Sequence, residues 1–229
     1  MKYHIIGNTV PAVEMNLESG EEIYTQSGGM VWNNGKLEMV TDTKGGIMKG
    51  LGRMFAGEKF FMNTYKAKQN DALIAFAATA PGVIVPIEFN SNHPGIIAQK
   101  GAFLCAEPGV KTEVTLTKKF GAGLFGGEGF VLQDISGNGM AFLEVDGDVM
   151  EKELQAGETM LVDTGNVVYF EKTCKYEIET VKGVKNILFG GEGLFLTKLT
   201  GPGKIVLQTQ NLHESANRII PFLPTSSSN

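Results

Sequence analysis

The chain has 229 residues, 30 of them glycine; 42% are hydrophobic, 20% are charged, and the formal net charge is −5. So much apolar content with so little charge excludes a disordered chain, and the length suffices for one large β domain or two small ones with a real core. The acidic balance argues against a nucleic-acid or anionic-membrane surface.

In chain order the sequence reads as extended segments punctuated by glycine. Residues 1–15 contain no apolar run of the kind a secretory leader needs. Gly20-Glu-Glu-Ile-Tyr opens the first extended segment. Asn34-Gly35 predicts a hairpin, because this pair tolerates the positive φ of a tight turn. Ile47, Met48, Leu51, Met54 and Phe55 make a helical stripe, which Gly50 and Gly52 weaken by roughly 1 kcal/mol each relative to alanine. The longest uncharged stretch, Ala72 to Ile87, is broken by Pro81, Gly82 and Pro86. It is shorter than the roughly 20 residues of a spanning helix, and it predicts two adjacent buried strands with a Pro-Gly turn. Thr112 to Thr117, Tyr176 to Val181 and part of Met140 to Val145 alternate with period two, as half-buried strands do. Asp146-Gly147 predicts a second hairpin. Leu212 to Ile220 predicts a short helix stopped before Pro221, and Pro224 to Asn229 reads as a flexible tail.

An internal repeat organises these segments. Phe55-Ala-Gly-Glu-Lys-Phe60, Phe125-Gly-Gly-Glu-Gly-Phe130 and Phe189-Gly-Gly-Glu-Gly-Leu194 align at spacings of 70 and 64 residues. An extended segment precedes each, from Gly20, Gly95 and Gly157, and an apolar one follows each, around Leu73, Ala141 and Ile205. Three landmarks recurring three times in one order predict three repeats of about 65–75 residues, each too small to bury its apolar face alone. The boundaries fall near 1–80, 81–145 and 146–223, with the tail at 224–229. The expected fold is all-β: three repeated antiparallel β subdomains, sandwich- or barrel-like, with little helix.

The candidate structural motif is therefore Gly57 and Glu58, Gly126, Gly127 and Glu128, and Gly190, Gly191 and Glu192. A carboxylate at a glycine turn needs water, a backbone amide or a cation as its partner. Arg53, Lys119 and Lys185 precede the three glutamates in turn. A ring of acids holding a ligand or cation is one reading. The plainer one is a carboxylate pinning a turn at the start of a strand.

Catalytic chemistry is sparse. Gly121 to Gly126 matches G-x-G-x-x-G in letters, but a strand-like Phe130-Val-Leu-Gln follows where a helix is required. His4, His93 and His213 form no metal-ligand spacing, and His93 before Pro94-Gly95 reads as a turn residue. Cys105 lies in an apolar context and reads as a buried small hydrophobe. Cys174 reads as exposed, with Lys172 and Lys175 placed to lower its pKa. Trp32 and the phenylalanines read as core. No catalytic residue, cofactor or metal is expected, and two distant cysteines suit a reducing cytoplasm.

Gly50 to Asn63, Gly123 to Gln133 and Leu188 to Leu196 with Gly201-Pro-Gly203 resemble the altered-inheritance-of-mitochondria family over nearly the whole chain. The first copy departs from the pattern, with Ala56 and Lys59 in place of glycines. The resemblance implies an all-β fold of three subdomains, each like a subunit of the tryptophan RNA-binding attenuation protein, a ring-former that binds RNA and tryptophan. It also implies homo-oligomers, specifically trimers, and no reaction. Eukaryotic relatives are mitochondrial and tied to inner-membrane organisation. This N-terminus lacks the Arg-rich, acid-poor character of a transit peptide, so the resemblance points to a prokaryotic cytoplasmic member. The leading expectation is a non-enzymatic oligomeric β scaffold or binding module with itself and an undetermined protein as partners; contact with a membrane surface stays open. The rivals are a ligand-responsive RNA-binding regulator, which needs a continuous basic stripe, and a metal-dependent barrel enzyme. The last needs His93 or His213 to converge with Glu58, Glu128 or Glu192.

Overall fold

The computed structural model describes residues 1–26, 28–41, 62–115, 131–180 and 195–223. After β1 (Lys2–Ile6), a cycle of six strands runs three times. The first cycle is β2 (Ala12–Leu17), β3 (Glu22–Gln26), β4 (Met30–Asn33), β5 (Leu37–Thr41), β6 (Met62–Ala67) and β7 (Ala72–Ala77). The second is β8 (Gly82–Phe89), β9 (Ile96–Gln99), β10 (Phe103–Ala106), β11 (Val110–Thr115), β12 (Leu132–Gly137) and β13 (Gly139–Asp146). The third is β14 (Val149–Leu154), β15 (Thr159–Asp163), β16 (Val167–Glu171), β17 (Lys175–Thr180), β18 (Phe195–Thr200) and β19 (Gly203–Gln208). A helix, α1 (Leu212–Ile219), follows.

Every strand pairing is antiparallel, and the pairings recur in register with the cycle. The first strand of each cycle pairs with the sixth, the sixth with the third, the fifth with the fourth and with the second. Each third strand also carries a bulge at the same place, at Val31, Leu104 and Val168. An extra residue there bends the strand and sharpens its twist. Two further contacts repeat: Glu107 accepts from the Met140 amide at 2.7 Å, and Glu171 from the Lys204 amide at 3.0 Å, each closing the sixth strand onto the third.

Successive cycles are stitched by one more pairing. The second strand of a cycle takes the third strand of the next: β3 with β10, and β9 with β16. The result is four sheets, ordered β1-β2-β7-β4, β5-β6-β3-β10-β13-β8, β11-β12-β9-β16-β19-β14 and β15-β18-β17. Three cores lie between them. Val13, Met15, Ile74 and Phe76 of the first sheet meet Ile23, Leu104 and Phe142 of the second. Ile87, Phe89 and Leu143 of the second meet Ile96, Ile135 and Val206 of the third. Ile97, Leu132, Phe170 and Ile205 of the third meet Val162 and Leu199 of the fourth. Each of these large side chains contributes roughly 1.5–3 kcal/mol by leaving water.

This layering explains where the sequence pattern misleads. Residues Ala141 to Val145 are buried without alternation, because β13 lies in a sheet covered on both faces. Asn34-Gly35 and Asp146-Gly147 do turn the chain, with φ of +77° and +72° at their glycines. Neither makes a hairpin: β4 and β5 belong to different sheets, and so do β13 and β14. The same holds for β7 and β8 around Pro81-Gly82. A tight turn fixes the reversal locally, but the partner strand comes from the next layer. Gly20 and Gly157 hold φ of +87° and +80° two residues before β3 and β15, and Gly95 holds +81° directly before β9. The predicted stripe at 46–55 lies outside the described residues. The predicted C-terminal helix is α1.

Candidate functional site

The Phe-Ala-Gly-Glu segment and the two Phe-Gly-Gly-Glu segments fall outside the described residues, and with them Gly57, Glu58, Gly126, Gly127, Glu128, Gly190, Gly191 and Glu192. In sequence each lies between a fourth and a fifth strand that pair with each other. His4 and His93 have separate partners, and the His213 side chain lies outside what the structure describes. His93 accepts a hydrogen bond from the Gly95 amide on its Nδ1 at 3.0 Å and packs on Phe89. His4 lies 3.3 Å from Glu14, which also accepts from the Trp32 indole at 3.0 Å. Among the described residues no three of His, Cys, Asp and Glu come together as a metal would need.

Cys174 departs from expectation. It is buried, its Sγ donates to the Pro202 carbonyl at 3.7 Å, and burial followed by the charges of Glu171 and Glu153 pushes its thiol up. Lys172, two residues before it, pairs instead with Asp134 at 2.5 Å. Cys105 is buried, and burial raises its thiol pKa too.

The distinctive feature lies at the two ends of the sheet stack. The two middle sheets have six strands, whereas the outer ones are fragments. Among the described residues, the fourth sheet, β17-β18-β15, ends on a second-type strand with no third-type partner, and the first sheet ends on β4, a third-type strand with no second-type partner. Joined through β15 and β4, the two fragments reproduce the order β5-β6-β3-β10-β13-β8 class by class, with β1 added at the far edge.

Burial at matched positions shows what is missing. The shared bulge makes Val31 the counterpart of Leu104 and Val168, and Trp32 that of Cys105 and Tyr169. Those four counterparts are at most 4% exposed, whereas Val31 is 49% and Trp32 40% exposed. On the other edge Leu161 matches Tyr24 and Ile97, which are 5% and 9% exposed; Leu161 is 57% exposed. The register follows too. Cys105 faces Thr25 and Tyr169 faces Ala98, so the matching pair is Trp32 with Val162.

Natural edge strands are blunted by proline or charge. Edge strand β8 carries Pro86, and β14 carries Glu151, Lys152 and Glu153. Strand β4 carries neither, and β15 has no charge before Asp163 at its end. Sequence reading placed Trp32 in a core and missed both edges. Their only signal was an apolar strand without a guarding residue, and that signal is shared by buried strands.

A side-chain contact also links successive cycles. Glu144 is buried and accepts from the amide and hydroxyl of Thr79, at 2.6 and 2.8 Å. Gln208, its counterpart in the third cycle, accepts from the Asp146 amide at 3.0 Å. The first cycle has Ala77 at this position, paired one step past Phe76 in the shared register. Burial, offset in part by the Thr79 bonds, holds the Glu144 carboxyl above the ordinary range.

Comparison with known proteins places this architecture. An uncharacterised protein of Streptococcus pyogenes serotype M6 is 31% identical over 225 residues, covering 95% of this chain and 88% of the relative. The mitochondrial altered inheritance of mitochondria protein 24 of Talaromyces stipitatus is 22% identical over 177 residues, which are 74% of this chain and 40% of that longer protein. The crystal structure of a Streptococcus pyogenes protein superposes with a TM-score of 0.78 at 26% identity, covering 97% of this chain and 99% of the other. The model of the Mitochondrial biogenesis AIM24 family matches residues 3–210, and the chain belongs to that family.

Proposed function

We propose that this protein is a non-enzymatic, cytoplasmic β scaffold that works as a closed homo-oligomer. The observation that carries this reading is that β4 and β15 are the two halves of a junction the chain already makes twice within itself. A contact between two different surfaces is head-to-tail, and it closes into a ring where the rotation permits. Trimers, as the family resemblance implies, bring nine cycles around one axis, in the manner of the ring subunits of the attenuation protein. Each junction adds backbone hydrogen bonds between β15 and β4, removes Val31, Trp32 and Leu161 from water, and leaves no unguarded edge.

The scaffold reading is supported by the kind of junction involved, which in its two internal copies pairs main chain, β3 with β10 and β9 with β16, over buried apolar side chains. Native mass spectrometry tests it. The expected species is three times 24.7 kDa, without adduct. A monomer at micromolar concentration, or a stoichiometric small-molecule adduct, overturns it.

A further inference from the structure

The C-terminal helix is turned the wrong way round for a monomer. Leu212, Ala216, Ile219, Ile220 and Leu223 recur at the spacing that puts them on one helical face, and the chain continues that face through a 3-10 turn at Ile220–Phe222. A surface helix of a globular protein buries such a stripe. Here Leu212, Ile219, Ile220 and Leu223 are each about half exposed or more, and Phe222 is 87% exposed. Polar groups hold the first turn of the helix instead: the Leu212 amide donates to Asp146 Oδ2 at 3.0 Å, while Gln210 Nε2 with Ser215 Oγ at 3.1 Å and the Glu214 amide with Asn211 Oδ1 at 3.3 Å close the turn locally.

Its position in the cycle says what faces the stripe. The chain leaving β7 enters β8, and the chain leaving β13 enters β14, each the first strand of the following cycle. The chain leaving β19 enters α1 at the matching point. At the first two exits the Thr79 and Asp146 amides donate to side chains of the following cycle, Glu144 and Gln208. At the third, the Gln210 amide turns back to the Asp146 carbonyl of its own chain at 3.2 Å. The cycle that would follow is the first cycle of a second copy, where Ala77 offers no acceptor. That cycle also carries β1, which has no counterpart among the described residues of the other two; Tyr3 and Ile5 on β1 and Val10 after it are exposed.

We propose, resting on the head-to-tail assembly above, that the apolar stripe of α1 docks on the first cycle of the adjoining copy, beside its β1–β2 hairpin. The occupant is a second copy because α1 leaves β19 at the point of the cycle where the two earlier exits meet the following cycle. A lipid surface suits it poorly: Glu214 and Arg218 are the only Asp, Glu, Lys or Arg in α1, whereas interfacial helices carry a Lys- and Arg-rich face.

The test uses the full chain with a benzoyl-phenylalanine photocrosslinker at position 219, its native mass recorded before irradiation. A mixture of isotope-labelled and unlabelled copies distinguishes crosslinks between copies from those within one. The expected product joins residue 219 to residues 1–17 of another copy. In parallel, Ile219→Asp with Ile220→Asp is expected to raise the dissociation concentration about tenfold or more without changing the unfolding temperature of the dissociated chain. An assembled chain that crosslinks only within itself, or a double variant that assembles like the parent, overturns the docking and leaves the assembly standing. Retention of the parent chain on phosphatidylglycerol–phosphatidylcholine vesicles, lost in the double variant, overturns it in favour of a lipid surface. A chain already monomeric before irradiation overturns the assembly and the docking together.

Discussion

At the scale of single residues, Glu144 and Gln208 do the same work with different chemistry. Each reaches back to the amide of the preceding exit turn, yet only Glu144 brings a charge into a buried site. Because its carboxyl titrates higher in the fold than in the unfolded chain, the fold binds the proton more tightly. Stability therefore falls as pH rises from the ordinary carboxylate value through the raised one, and the penalty is fully present above it. Glu144→Gln is expected to unfold at a higher temperature than the parent at pH 8, with the gain vanishing in acid; calorimetry across that range checks it. An equal gain at every pH would mean that charge burial is not the cause. Phe142 is fully buried between the first two sheets and meets Tyr3 edge-on at 4.8 Å. Phe142→Ala is expected to cost about 3–5 kcal/mol in denaturant unfolding, the usual penalty for a large cavity. Trp32 is the sole tryptophan, half exposed at the edge of β4. Its emission reports the junction directly: it is expected to shift to the red on dilution as the edge returns to water.

At the scale of elements, β4 and β15 differ from the other sheet edges in lacking a guard. Leu161→Lys puts a charge where Tyr24 and Ile97 are buried in the two internal junctions. Leu161 is exposed in the single chain, so the substitution is expected to change its unfolding free energy by no more than about 0.5 kcal/mol. Light scattering should nevertheless find it monomeric under conditions where the parent assembles. A variant that assembles normally would remove β15 from the junction. The elements also show where sequence reading succeeds. Alternation and glycine punctuation locate most strands, because the pleat has period two and the turns need positive φ. The Asn34-Gly35 and Asp146-Gly147 turns were visible, but their partners were not, because pairing across layers leaves no mark within the turn itself.

At the scale of the whole molecule, the chain is a stack of four sheets in which only the middle two are complete. Both internal junctions between cycles combine main-chain pairing and buried apolar side chains with a few polar contacts, and the open edges expose apolar surface of the same kind. The ion pair Lys172–Asp134 crosses an internal junction, but β4 carries no charge and β15 none before Asp163; other pairs lie within a cycle, such as Lys66–Glu22 at 2.9 Å and Lys152–Glu158 at 2.8 Å. Salt screens charges but not apolar contact. The assembly is therefore expected to persist on raising salt from about 0.1 M to about 1 M, as sedimentation would show. Dissociation in high salt would point to a charged junction.

The sequence by itself determined the class of fold, the threefold recurrence of its segments and the family. Each follows from local pattern: alternation, glycine at positive φ, and self-similarity. It also indicated a short helix at residues 212–220. The tertiary structure decided which strands pair, that β13 is covered on both faces, that Cys174 is buried, and that Trp32 and Leu161 sit on open edges. These are properties of neighbours distant in the chain. Val31, Leu104 and Val168 are all aliphatic and sit at the same bulge; only the presence or absence of a preceding cycle makes one exposed and the others buried.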